Sequence, residues 1–165
     1  MSELSELGDI TRCWTIRFER QSKHPVQKVW QSITDPERVA AWMRGPARID
    51  LRVGGDWFVD FGDKGELDGV IVRVEHERRL AYVWGLSVLE WTLEPDGDGS
   101  RYSFVHHGQA PGLSPTEEGL ASGWHAFLEA LTGQLDGIAY DAKTDQAIFD
   151  ELTPVYRERL EAILS

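Results

Sequence analysis

The chain is poor in cysteine and in clustered positive charge. It has one cysteine, Cys13, in 165 residues. A single cysteine cannot form an internal disulfide, so the core alone must hold the fold. No neighbouring pattern marks Cys13 as a nucleophile, and we expect it packed in a strand. Lys and Arg number 17 against 28 Asp and Glu, a formal net charge of −11. The basic residues never run together; only the pairs Arg78-Arg79 and Arg157/Arg159 stand close. Nucleic acid and anionic membranes both need clustered Lys and Arg, so neither is an expected partner. No apolar run is long enough to span a bilayer, and none near the N-terminus resembles a signal peptide. The expected location is the cytoplasm. Three histidines (His106, His107 and His125), even with Asp60 or Glu90, match no metal-ligand spacing, so no metal and no cofactor is expected.

What the chain does have is tryptophan: seven, with six Phe and four Tyr. A chain of this length buries roughly 70% of its unfolded surface, enough for one domain with a real core. Each indole buries a large area but needs a partner for its N–H. So many rings indicate either a bulky core or a ring-lined pocket.

The patterning gives the order of elements. Residues 1–11 read as a loose N-terminal extension. "CWTIRFER" alternates, with Trp14, Ile16 and Phe18 on one face, and predicts a strand. Val26, Val29, Trp30 and Ile33 fall at helical spacing after Pro25. Asp35-Pro36-Glu37 then caps and restarts a second short helix, with Val39, Trp42 and Met43 on its apolar face and Gly45-Pro46 as its end.

From residue 47 the period changes to two, and six short strands follow through tight turns. Alternation assigns Trp57, Val59 and Phe61, then Val70, Val72 and Val74, to the inner face. Leu80, Tyr82 and Trp84, then Leu89, Trp91 and Leu93, and finally Tyr102, Phe104 and His106 continue it. Glu90, Asp60 and His107 fall on the outer face. "QAPGLSPTEEG" reads as a loop, with Ser114 or Thr116 capping a helix over 116–136 and Glu117 and Glu118 in its first turn. Leu120, Trp124, Phe127, Leu128, Leu131 and Leu135 form that helix's stripe, and Gly137 ends it. A tail over 138–165 predicts two short helices, the second started by Pro154, whose stripe from Tyr156 to Leu164 must be covered by the domain or by a second copy.

A meander with one apolar face must cover that face, and only the 116–136 helix is long enough. The fold class is therefore α+β: a curved antiparallel sheet of about seven strands wrapped around one long helix, with two short helices between the first two strands. The segments "HPVQKVWQSITDPERVAAWM", "DLRVGGDWFVDF", "GVIVRVEHERRLAYVW", "LEWTLEPDGDGSRYSFVHHG" and "GWHAFLEAL" occur in an order that resembles the START-like SRPBCC superfamily. The branch resembled is that of the Hsp90-ATPase-activator-homologue-like proteins. The resemblance covers about residues 12–136, within a domain over 12–137. It implies a helix-grip fold with a cavity between sheet and long helix, where relatives bind apolar small molecules or act on them, and it puts the "GQAPGLSP" loop at the mouth.

The expected ligand-facing residues are Trp30, Trp42, Trp57, Val59, Phe61, Val72, Tyr82, Trp84, Trp91, Tyr102, Phe104, His106, Trp124, Phe127, Leu128 and Leu131. No catalytic constellation stands out, and His106 is the one weak candidate for acid–base work. The expected function is binding of a hydrophobic or aromatic small molecule, as carrier, sensor or sequestering protein, with a possible homodimer. The alternatives are a polyketide cyclase- or aromatase-like enzyme, with His106, Tyr82 or Tyr102 as acid or base, and a chaperone-interacting module.

Overall fold

A computed structural model describes residues 13–109, 114–116 and 119–165. Strand β1 (Cys13–Ser22) leads into helices α1 (Val26–Thr34) and α2 (Pro36–Met43). Strands β2 (Ala47–Ile49), β3 (Asp56–Asp60), β4 (Glu66–Glu75), β5 (Arg79–Trp84), β6 (Ser87–Asp96) and β7 (Gly99–Gln109) follow. Helices α3 (Leu120–Leu135) and α4 (Ala142–Leu164) complete the chain. The seven strands form one antiparallel sheet in the order β1-β7-β6-β5-β4-β3-β2, with α3 across its inner face. This is the sheet wrapped around one long helix expected from the patterning, and the helix-grip arrangement that the resemblance implies.

The α1–α2 elbow is built from its own sequence. Asp35 caps α2 by accepting from the N–H groups of Glu37 and Arg38 at 2.9 and 3.3 Å. The last carbonyls of a helix lack partners within it. Here two buried indoles supply them: Trp42 Nε1 donates to Ser32 O at 2.8 Å and Trp57 Nε1 to Ile33 O at 3.1 Å. Trp42 of the elbow and Trp57 of β3 thus lock the end of α1 to α2 and to the sheet. Lys28 Nζ does the same for the end of α3, donating to Leu135 O at 2.7 Å.

Four expectations need correction. Val70 and Val72 stand on the outer face, about half exposed, while Leu67 and Ile71 are buried. The run "GVIV" is apolar at both parities, so alternation alone could not choose. The inner position between Leu67 and Ile71 is Gly69, where a Cβ would lie 2.7 Å from the carbonyl oxygen of Trp57 and 3.2 Å from the Tyr82 ring. The Trp57 backbone oxygen, the Tyr82 ring and the Leu67 side chain take the space a side chain would need. A register shift between Ile71 and Arg73 then returns Val74 to the core side.

Cys13, secondly, is exposed at the start of β1 rather than packed. Thirdly, α3 begins at Leu120 with Gly119 as its cap, not at 116 with Ser114 or Thr116. Glu117, Glu118 and most of the preceding loop lie outside the described residues. Fourthly, the tail is one helix with Pro154 inside it. α4 is held from outside by α3, which keeps it continuous despite the missing N–H. Proline in a helix interior costs about 3 kcal/mol. Pro154→Ala should therefore stabilise α4 by up to about that amount. Slower amide exchange over residues 150–160 is the expected result, and unchanged exchange would show that the proline breaks nothing.

The tail also explains a second buried face on α3. Ala121, Ser122, Ala126 and Ala130 are buried although they lie off the apolar stripe. Small side chains there let α4 approach. Thr153 Oγ1 donates to Ser122 Oγ at 3.0 Å, and His125 Nδ1 and the Tyr156 hydroxyl pair at 2.6 Å. The expected stripe of α4 is thus partly covered by the domain itself: Tyr156 and Leu160 are half-buried, and Tyr156 meets the Phe18 ring at 6.3 Å. Among the described residues, no helix is long and apolar enough to cross a membrane.

Candidate functional site

The interior between sheet and α3 is filled. Trp42, Trp57, Trp91, Tyr82, Tyr102 and Phe104 are all among the fully buried side chains. Their rings interlock, with Trp91 at 4.7 Å from Phe104, 6.1 Å from Tyr102 and 6.1 Å from Trp42. Trp91 Nε1 donates to the Tyr82 hydroxyl at 3.2 Å. Burial pushes both tyrosine hydroxyls, Tyr82 and Tyr102, above their ordinary pKa, so both stay protonated. Val59, Leu128 and Leu131 are wholly buried in the same core, and Trp30 nearly so. Ten of the expected ligand-facing residues are thus core members, and Val72 faces outward.

Open volume lies beside this core, at the N-terminal half of α3. One lobe of about 270 Å³ is walled by Phe61, Leu67, Trp84, Leu120, Gly123, Trp124, Phe127 and Phe149, with Lys64 and Glu66 at its rim. A second of about 520 Å³ shares Phe61, Lys64, Gly123, Phe127 and Phe149 with it and extends to Met43, Arg44, Ala126, Asp145 and Gln146. The two form one groove between the β3–β5 side of the sheet, α3 and α4. Of the expected ligand-facing residues, Phe61, Trp84, Trp124 and Phe127 come together here. The Phe61 and Phe127 rings stack at 6.0 Å, and Trp124 meets Phe127 at 6.0 Å.

The sequence reading missed α4's share of these walls. Phe149 sits over the start of α3, where a Cβ on Gly119 would come within 2.5 Å of its ring. The Arg44 guanidinium clamps α4 beside the groove, reaching Asp145 through Nε at 2.6 Å and Nη2 at 3.3 Å. The signal was present in part: Gly119 and Gly123 flank the start of α3, and Gly123 leaves a gap in its surface. Another hollow, of about 550 Å³, lies at the β4–β5 turn and the end of β6, but Glu77, Arg78, Arg79 and Glu94 make its walls charged, and no Phe, Trp or Tyr lines it.

His106 adjoins the groove. It sits on β7 between Ile16 of β1 and Leu89 of β6 and is fully buried. Its ring packs 6.0 Å from Trp84 and 5.9 Å from Trp124, two of the groove walls. Trp124 Nε1 donates to His106 Nδ1 at 2.8 Å. Burial, with the neighbouring His107 adding to it, lowers the pKa of His106 to about 4. The imidazole is therefore neutral at pH 7. Protonation is easier in the unfolded chain, near the ordinary 6.5, than in the fold. Stability is thus full above about pH 6.5 and falls as pH drops toward 4, by about 3 kcal/mol for a shift of this size. His125, also lowered by burial, adds in the same direction. Urea unfolding at pH 7, 5.5 and 4.5 should show this decline, and His106→Gln should lessen it; equal stability at the three pH values would contradict a buried neutral His106. Among the described residues, no group of three His, Cys, Asp or Glu side chains is placed to hold a metal ion.

The comparisons agree with this fold. A solved structure of protein MLL2253 from Mesorhizobium loti is 29% identical, with a TM-score of 0.67 over 74% of this chain and 97% of its own. DynU16, a protein of the dynemicin biosynthetic locus, is 28% identical with a TM-score of 0.65; 76% of this chain matches about half (48%) of that one. The EF2215 protein from Enterococcus faecalis is only 18% identical, but it shares the fold at a TM-score of 0.75 over 98% of this chain and 94% of its own, α4 included. A search of curated proteins found no match. The family described as "activator of Hsp90 ATPase homolog 1-like protein" matches residues 23–136, and the chain belongs to that family.

Proposed function

We propose that the chain binds a hydrophobic, aromatic small molecule in the groove between the sheet, α3 and α4, as a carrier, sensor or sequestering protein. The observation that carries this reading is the groove wall itself: Phe61, Trp84, Trp124, Phe127 and Phe149 around one open volume, beside a core that is already full. Mostly apolar walls with a few placed polar groups are the character of small-molecule sites. DynU16's place in a biosynthetic locus supports handling of small molecules within the family.

A cyclase-like reaction is less well supported. Tyr82 and Tyr102 are core residues and do not line the groove. His106 has its lone pair on Nδ1, already engaged by Trp124, so it offers no free base. Native mass spectrometry of freshly purified protein, followed by denaturing extraction, tests the binding reading. A retained aromatic compound supports it. A clean mass, followed by no thermal shift with any member of an aromatic ligand panel, would contradict it.

A homodimer belongs to the same proposal. Ile163 and Leu164 at the end of α4 stay 79% and 68% exposed, and a second copy would cover them. Light scattering should give twice the monomer mass, and the monomer mass would remove the idea.

A further inference from the structure

His106 combines three features that a purely structural histidine rarely shows together. It is fully buried, one ring nitrogen is bonded, and the other has no partner. The bonded atom is Nδ1, and its partner is the Trp124 indole N–H at 2.8 Å. An indole N–H can only donate, so Nδ1 carries the lone pair, and a neutral ring then bears its proton on Nε2. Nε2 is thus a buried donor with no acceptor among the described residues. Buried donors are nearly always satisfied, and one left open in a native fold calls for a reason.

The position of the ring supplies one. Trp84 and Trp124 flank the imidazole and also wall the groove. Trp84 is only half-buried and borders the β5–β6 turn, where Gly85 has a positive φ of 57°. His106 itself lines neither lobe and also packs on Trp14 at 5.0 Å, so a ligand acceptor reaches Nε2–H only where Trp84 gives way. We propose that His106 is the specificity-determining residue of this site: its Nε2–H selects aromatic molecules that present a hydrogen-bond acceptor, such as a ketone oxygen, over equally shaped ones that present none. The proposal rests on the groove being the ligand site. A donor fixed in this tautomer rewards an acceptor and gives nothing to a plain hydrocarbon, and a ligand acceptor buried against it forms a bond that water no longer competes for.

The test compares 9-fluorenone with fluorene, tricyclic molecules of nearly the same shape that differ by one ketone oxygen, by quenching of intrinsic tryptophan fluorescence. Wild-type protein should bind fluorenone about tenfold more tightly or better, and His106→Phe should bind both alike. Equal binding of the two by wild type overturns the role of His106 and leaves the groove reading standing. Binding of neither overturns both. Because His106→Phe removes the acceptor of Trp124 and can fail to fold, the ¹⁵N spectrum of wild-type imidazoles provides a second reading. A protonated His106 Nε2 whose resonance moves with fluorenone but not with fluorene supports the proposal. A proton found on Nδ1, or a resonance that fluorenone leaves unmoved, overturns it.

Discussion

Trp91→Ala should cost about 3–5 kcal/mol of folding stability, the range for deleting a fully buried large aromatic. Trp91 has no exposed surface and lies at the centre of the ring cluster, between Phe104, Tyr102 and Trp42. The deletion removes contacts on every side and leaves a hole that a curved sheet and a braced helix cannot close. It also takes away the indole N–H that the Tyr82 hydroxyl accepts, leaving that hydroxyl buried without its donor. Domains of this size have about 5–15 kcal/mol in total, so the variant sits at the edge of folding. Urea denaturation measures the loss. A change below about 1 kcal/mol, far under the range for a packed aromatic, would mean that the interior is loosely filled and that the cavity expected from the family extends through it.

The second large effect concerns binding rather than stability. Gly123 lines both lobes of the groove, and a Cβ there meets nothing nearer than the Phe149 ring at 4.0 Å. A leucine at this position projects into open volume. It also removes a glycine from a helix interior, a gain of up to about 1 kcal/mol. Gly123→Leu should therefore fold at least as well as wild type and lose at least tenfold in affinity for an aromatic ligand. Loss of affinity without loss of stability separates the groove from the core, because a core substitution moves both. Unaltered affinity in a well-folded Gly123→Leu would place the ligand elsewhere.

The architecture was legible in the sequence wherever one face of an element is apolar and the other is not. β1, β6 and β7 alternate, and the inner residues read from the pattern are buried or half-buried there, whereas β5 is apolar at both parities and buries Ala81 beside Leu80 and Tyr82. The elbow was legible because Asp35-Pro36-Glu37 carries a cap, a first helical residue and a first-turn acid together. β4 was not, because Val70, Ile71 and Val72 are apolar on both faces, and the deciding residue is a glycine whose role depends on the Trp57 backbone and the Tyr82 ring on the flanking strands. The ring-rich inner face could not by itself distinguish core from pocket. Both need the same residues, and only packing tells that Trp42, Trp57 and Trp91 fill the space while Trp84, Trp124 and Phe127 border it. The contribution of α4 was hidden for another reason. Its few apolar side chains rest on small residues of α3, which carry almost no hydrophobic signal, and Pro154 made one helix read as two.

The most direct measurement is a chemical-shift map of the wild-type protein, amide and aromatic side-chain signals together, on adding 9-fluorenone. The largest changes should fall on Phe61, Trp84, Gly123, Phe127 and Phe149, with the Trp91, Tyr102 and Phe104 rings nearly still. Large changes at Trp91, Tyr102 and Phe104, with Gly123 and Phe149 undisturbed, would contradict the groove and put the ligand inside the grip.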